Sequence, residues 1–154
     1  MGPLSIYGPY AWLIPEEFWA KPKRDFTYSV EFVTPNQLAA SASRTQTVGI
    51  NRDSHFVAIR MVATVTNTDN TTFVDTPAIL VNVKDSGSGF DLMDKPVPFI
   101  SLFHRGSSGD GKERYLTLPR IFDPGSTISV TLENQDATAR HVRIAFDGFR
   151  VWGG

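Results

Sequence analysis

From Phe26 onward, apolar and polar residues alternate along the chain with a period of two. The segment Phe26–Phe32 has a large apolar residue at every second position, with Thr, Ser and Glu between them. The same alternation recurs in Val57–Val65, Ile128–Leu132 and Val142–Phe146. Successive side chains of a β-strand point to opposite faces, so this pattern predicts strands with one buried face.

Clusters of Pro, Asn, Asp, Ser and Gly separate the alternating segments at intervals of about eight to twelve residues. The predicted strands cover 26–32, 45–50, 55–66, 77–84, 97–103, 114–118, 126–133 and 140–152. No long segment has a helical period. About eight short strands with this spacing are typical of a sandwich or jelly roll. We therefore predict an all-β, jelly-roll-like β-sandwich of antiparallel strands, formed by residues 26–154.

Residues 1–25 differ from the rest of the chain and are predicted to form an irregular N-terminal arm. Four prolines in this range prevent a regular helix or strand over most of its length. Pro15 and the two acids after it favour one short helical turn. The arm carries five large aromatic residues, the predicted partner-binding residues: Tyr7, Tyr10, Trp12, Phe18 and Trp19.

Aromatic side chains of this size bury roughly 150–250 Å² each when they are covered, so the arm is expected to lie on another surface. Three surfaces remain open at this point: its own sandwich, a neighbouring subunit or a partner protein.

Composition and charge exclude several classes of protein. There are no cysteines, which excludes disulfides, thiolate metal sites and cysteine chemistry. The formal net charge is −1, without the basic excess typical of nucleic-acid binders. No signal-peptide pattern opens the sequence, and no apolar run approaches the roughly 18 residues of a membrane helix. We therefore expect neither nucleic acid nor a membrane as partner.

Residues that could carry catalysis or bind a cofactor do not form a recognisable motif. The three histidines, His55, His104 and His141, lack metal-ligand spacing and are expected to face solvent or a turn. The segment Asp85–Asp91 resembles a calcium loop only superficially and is interpreted as a flexible turn. Gly106–Gly109 contains serines but lies in a predicted loop. We predict no enzyme activity, no catalytic residues, no metal and no cofactor.

Five segments of the chain, which together span about residues 45–150, resemble motifs of one family. They are Ile50–Phe56, Val83–Gly89, Asp94–Pro98, Leu118–Phe122 and Val142–Phe149. The family comprises small structural proteins of tailed bacteriophages that sit on the capsid shell as cement or decoration proteins. Residues 1–25 are not part of the resemblance.

The resemblance implies a jelly-roll domain that binds and stabilises a bacteriophage capsid. It further implies a homotrimer at capsomer junctions, with the major capsid protein as partner. The protein would be made in the host cytoplasm and end on the capsid surface of the virion. Its arms would hold adjacent shell subunits together by repeated apolar contacts.

Two other functions remain as alternatives. One is a carbohydrate- or receptor-binding module at a phage vertex or tail, with Phe90 and Tyr115 as exposed aromatics near the loop 105–112. The other, less favoured, is a small hydrolase or isomerase on a β-barrel.

Overall fold

The computed structural model describes residues 15–87, 91–105 and 112–153. A 3₁₀ turn at Glu16–Phe18 precedes the first strand, and one short helix, α1, covers Phe99–Leu102. The strands are β1 (Lys23–Phe32), β2 (Ser43–Gly49), β3 (Ser54–Thr66), β4 (Ile79–Asp85), β5 (Val97–Pro98), β6 (His104–Arg105), β7 (Lys112–Phe122), β8 (Thr127–Asn134) and β9 (His141–Trp152).

The strands form two sheets whose order defines the topology. The larger sheet has the order β1-β9-β3-β7-β6, and the smaller sheet has the order β2-β8-β4-β5. Strands β1 and β9 pair antiparallel, and so do β2 and β8, β3 and β7, and β4 and β5. This nesting is what results when one long antiparallel hairpin rolls up into two sheets. The topology is that of a jelly roll, which confirms the predicted fold class.

The core lies between the two sheets and consists of the inward positions of the alternating segments. On β1, the inward residues Tyr28, Val30 and Phe32 are buried, and the residues between them are exposed. Five phenylalanines are among the largest fully buried side chains: Phe32, Phe56, Phe99, Phe122 and Phe146. Burying this much apolar surface is the main favourable contribution to folding, so the period-two pattern carries most of the stability.

The structure corrects one predicted strand and moves the start of another. The segment Val97–Phe103 was predicted as extended, but it forms the two-residue strand β5 and then α1. A helical turn is favoured there because it brings Phe99 and Leu102 to the same face, where both are buried. Strand β1 begins at Lys23, within the range predicted for the arm, because Lys23 pairs with Val151 at the far end of β9.

An irregularity in β3 reshapes the β7 side of the larger sheet. Ala58 faces Arg120 across the β3–β7 ladder, whereas Arg60 faces Tyr115, so the register shifts between them. The register against β9 shifts at the same place but in the opposite sense: Ala58 faces Gly148 and Arg60 faces the next residue, Asp147, so the extra residue there is on β3. A bulge of this kind leaves residues outside the ladder and bends the strand. As a result, part of β7 lies apart from β3, next to the cleft described below.

Candidate functional site

The segment that leads into β1 is anchored on the outer face of the larger sheet. Phe18 is only 3% exposed and forms a second apolar cluster with Val57, Phe149 and Val151. Val57 lies between Phe56 and Ala58, which belong to the main core, so it points to the opposite face of β3. The Phe18 ring also lies 5.1 Å from the ring of His55. Phe18 therefore attaches this segment to one particular face of the sandwich.

Local hydrogen bonds hold the anchor in a tight turn. The backbone N–H of Phe18 donates to the carbonyl oxygen of Pro15 at 2.9 Å. The Nζ of Lys23 donates to the carbonyl oxygens of Trp19 and Lys21 at 2.7 and 2.6 Å. Pro15 suits the start of such a turn because its φ is already fixed.

The five predicted partner-binding residues are placed differently. Phe18 is buried against its own sheet, and Trp19 is half-buried against the same cluster. Tyr7, Tyr10 and Trp12 lie outside the described residues, so their contact with a partner stays a prediction. The C-terminal part of the arm, with Phe18 and Trp19, therefore packs on the sandwich of its own chain, the first of the three surfaces considered above.

One end of the sandwich is formed by the segments 33–42, 67–78 and 135–140, which are joined by partly buried polar contacts. His141 is 2% exposed, and its Nε2 accepts the backbone N–H of Thr34 at 3.2 Å. Its Nδ1 lies 2.7 Å from Oδ1 of Asn70. Because Thr34 N–H can only donate, Nδ1 must carry the proton and donate to Asn70. The expectation that all three histidines face solvent or a turn was wrong for His141, since distant residues satisfy both ring nitrogens.

Further hydrogen bonds make this loop end rigid. The Nδ2 of Asn134 donates to the carbonyl oxygens of Ala39 and Thr138 at 3.2 and 2.9 Å. Arg140 donates to Asn67 in the neighbouring segment. Rigid loops on a sandwich are frequent sites of recognition. Phe73, 46% exposed, provides a large apolar side chain at this end.

A cleft of about 510 Å³ opens where β7 separates from β3, between the edges of the two sheets. Its floor is part of the core, because Met61 and Leu102 are buried. Its walls combine half-buried apolar side chains, among them Leu92, Met93 and Leu116, with polar and charged ones. The cleft thus provides access from solvent to the apolar interior.

Arg120 on the cleft wall is fixed by a buried carboxylate. Its guanidinium donates to Oδ2 of Asp85 at 3.1 Å, and the Asp85 side chain is 1% exposed. Asp85 also accepts the backbone N–H of Gly87 at 2.8 Å. Asp85 was assigned to a flexible turn from sequence, but it is the last residue of β4. Its position could have been found by extending the inward register of Ile79, Val81 and Val83.

The titratable groups of the described residues indicate whether this part of the chain could hold a metal ion or supply a catalytic acid or base. Within the described ranges, no three His, Asp or Glu residues come close enough together to hold a metal ion. The pKa of Asp53 is lowered, chiefly because the Trp152 indole N–H donates to it and, secondly, through Arg150. The pKa of Asp69 is lowered to about 2 by hydrogen bonds from Thr72 and Thr71. Both shifts arise from contacts that order exposed turns, so neither indicates a catalytic acid or base.

Other candidates from the sequence lie outside the part of the chain described. These are the serines of 106–109, Phe90, and the side chains of His104 and Tyr115. Among the residues that are described, no helix is long and apolar enough to span a membrane.

Comparison with known proteins gives similarity of fold alone. No family model matches the chain, and no curated protein matches it. Among solved structures, it is similar to VP2 of infectious bursal disease virus, determined as a subviral particle, with 14% sequence identity and a TM-score of 0.44. The alignment covers 85% of this chain and 34% of that chain, so this chain spans about a third of that protein's length. With this TM-score and sequence identity, the similarity gives no information about function.

Proposed function

We propose that this protein is a structural virion protein that binds and stabilises a bacteriophage capsid shell as a cement or decoration protein, without enzymatic activity. Its partners would be the major capsid protein and two further copies of itself, in a homotrimer at capsomer junctions on the capsid surface. The resemblance of five segments to phage decoration proteins supports this function, and the jelly-roll topology is compatible with it.

The observation that carries the proposal is the anchoring of the aromatic segment by Phe18. Burial of Phe18 against Val57 and Val151 fixes the start of the arm on the outer face of the larger sheet. The chain segment that carries Tyr7, Tyr10 and Trp12 is therefore connected to a fixed point on that face, from which it can reach a partner protein bound there. Tyr7, the farthest of the three, lies eight residues before Pro15, and eight extended residues span at most about 29 Å. A rigid body with a tethered aromatic segment is suited to bridging adjacent subunits of a shell.

The anchor also determines how the proposal is best tested. Deleting residues 1–25 would remove Phe18 and the first residues of β1, so loss of binding could reflect loss of folding. Replacing Tyr7, Tyr10 and Trp12 together with alanine in the full chain leaves every described residue unchanged. Phe73→Ala is the matched control, because it removes an exposed aromatic side chain from the opposite loop end.

The experiment is co-sedimentation of the full chain with shells of the parent phage from which the protein has been removed. We expect the unchanged protein and the Phe73→Ala variant to bind, and the triple alanine variant to lose most of its binding. Full binding by the triple variant would show that the arm is not the contact. No binding by the unchanged protein would overturn the proposed function.

One observation favours the alternative of a carbohydrate- or receptor-binding module. Phe73 is exposed beside the ordered turn at Asp69–Thr72, and aromatic rings next to fixed polar groups are suited to sugar recognition. In that case a glycan array would give specific binders, and Phe73→Ala would abolish their binding. An array without any binder would exclude the glycan form of this alternative.

A further inference from the structure

Among the described residues, one cationic group on the cleft wall has no ion-pair partner. Arg120 is paired with the buried Asp85. Asp91 also lines the cleft and lies directly opposite Lys84 in an antiparallel bridge, so these two side chains project on the same face, with Lys84 offering the cationic group nearest to the carboxylate in the ladder. Arg114, half-buried on the cleft wall, forms no ion pair with any residue that the structure describes. The cleft therefore combines an apolar floor with one guanidinium group that pairs with no described carboxylate.

The apolar surface continues beyond the mouth of the cleft. Ile100 on α1 is 56% exposed and precedes two residues that line the cleft, Ser101 and Leu102. Large exposed aliphatic side chains next to an apolar cleft are characteristic of protein-binding surfaces. Met61 and Met93, with their flexible thioether chains, allow the cleft to adapt to the group that enters it.

We propose that this cleft is a docking site for a partner protein segment that inserts one apolar side chain and places a carboxylate against Arg114. Guanidinium groups bind carboxylates by paired, charge-assisted hydrogen bonds, which sets the chemistry of the flanking group. The inserted side chain would replace solvent above Met61 and Leu102. This inference rests on the proposed function, because it takes the partner segment to belong to the capsid subunit. The sandwich domain would then contact the capsid subunit at the cleft, in addition to the contact made by the arm.

The chemistry of the cleft can be tested with the isolated full chain and a small probe, without any shell. The probe is 3-phenylpropionate, and 3-phenylpropanamide is its uncharged counterpart. We expect the carboxylate to shift the NMR signals of the Met61 and Met93 methyl groups, and to bind about fivefold more tightly than the amide because of Arg114.

Two variants and two controls locate the binding. Leu116→Trp should fill the cleft and abolish the shifts, and Val97→Trp serves as a second filling variant if the first is unstable. Arg114→Glu should remove the preference for the carboxylate. Thr47→Trp on β2 and Arg24→Glu on β1, both exposed and at the other edges of the sheets, should bind the probe like the unchanged protein.

Absence of methyl shifts, equal affinity for acid and amide, or unchanged binding by both filling variants would overturn the proposed chemistry of the cleft. Shell binding then tests the partner. We expect Arg114→Glu and Ile100→Asp each to weaken co-sedimentation at least about fivefold, with the arm intact, and Arg24→Glu to leave it unchanged. If the unchanged protein binds shells and both cleft variants bind equally well, the capsid subunit does not occupy the cleft, although the proposed function stands.

Discussion

Gly148 on β9 lies so close to Val57 on β3 that a Cβ atom at position 148 would stand 1.8 Å from the Val57 carbonyl oxygen. The two strands approach at the irregularity between Ala58 and Arg60. No rotation of a side chain can relieve this contact, because the first atom of the side chain would overlap with backbone. Gly148 is therefore required by the path of β9 over the bulge.

Gly148→Ala is expected to destabilise the protein by about 3 kcal/mol or more, since the strands must separate to admit the methyl group. Chemical denaturation measures the loss. Gly49→Ala on β2 is the matched control, because a Cβ there has no atom within 4 Å and Gly49 also lies in a strand. The control should be neutral or slightly stabilising. Equal stability of Gly148→Ala and the unchanged protein would contradict the close approach.

The ion pair between Asp85 and Arg120 joins the two sheets, since β4 belongs to the smaller sheet and β7 to the larger. Asp85→Asn keeps the shape of the side chain but removes its charge. We expect a loss of about 2 kcal/mol in the free energy of unfolding, less than for a fully buried pair because Arg120 is partly exposed. Asp123→Asn, an exposed carboxylate in the neighbouring turn, is the control and should change stability little. A loss no larger than that of the control would contradict a structural role for the pair.

His141 is predicted to carry its proton on Nδ1 in the folded protein. Long-range ¹H–¹⁵N NMR distinguishes a protonated from an unprotonated ring nitrogen, and should show Nε2 as the acceptor. His141→Phe is expected to cost about 2–3 kcal/mol, because it leaves the Thr34 N–H without its acceptor. It also removes one of the two donors to Oδ1 of Asn70, the other being Arg143. A proton found on Nε2 alone would contradict the assigned contacts.

Asp69 is expected to contribute to stability in a defined range of pH. Its pKa is lowered from 3.8 to about 2 in the folded protein, because Thr71 and Thr72 donate hydrogen bonds to the carboxylate. The contribution is complete above the unfolded pKa, near 4, and is lost as the pH falls through the folded pKa. The unchanged protein should therefore be more stable than Asp69→Asn at pH 5, and the difference should vanish towards pH 2. A difference independent of pH would exclude the charge as its cause.

The strands could be predicted from sequence because the alternation of β1, β8 and β9 is a local property of each segment. The segment at Val97–Phe103 could not, because a short apolar run fits a buried strand and a helical turn equally well. Contacts between residues that are far apart in the sequence could not be predicted either. Neither the pairing of Asp85 with Arg120 nor the network of Thr34, Asn70 and His141 has a signature in one sequence.

Some features of the arm could be predicted from the sequence, whereas its packing on the sheet could not. Its change of character, its aromatic content and a helical turn beginning near Pro15 could be predicted from prolines and spacing. That Phe18 packs on Val57 and Phe149 could not, because the outer face of the larger sheet had no expected apolar cluster. The alternation in β3 did contain a signal, since Val57 and Ile59 place apolar side chains opposite the inward residues.

Electron cryomicroscopy of the parent phage particle would show where this protein lies in the virion. We expect density for the jelly roll on the outer surface of the shell, in three copies around each capsomer junction, with the N-terminal arm crossing to an adjacent capsid subunit. Jelly-roll density confined to the tail or to a receptor-binding tip, or a shell without it, would show that the protein is not a decoration protein.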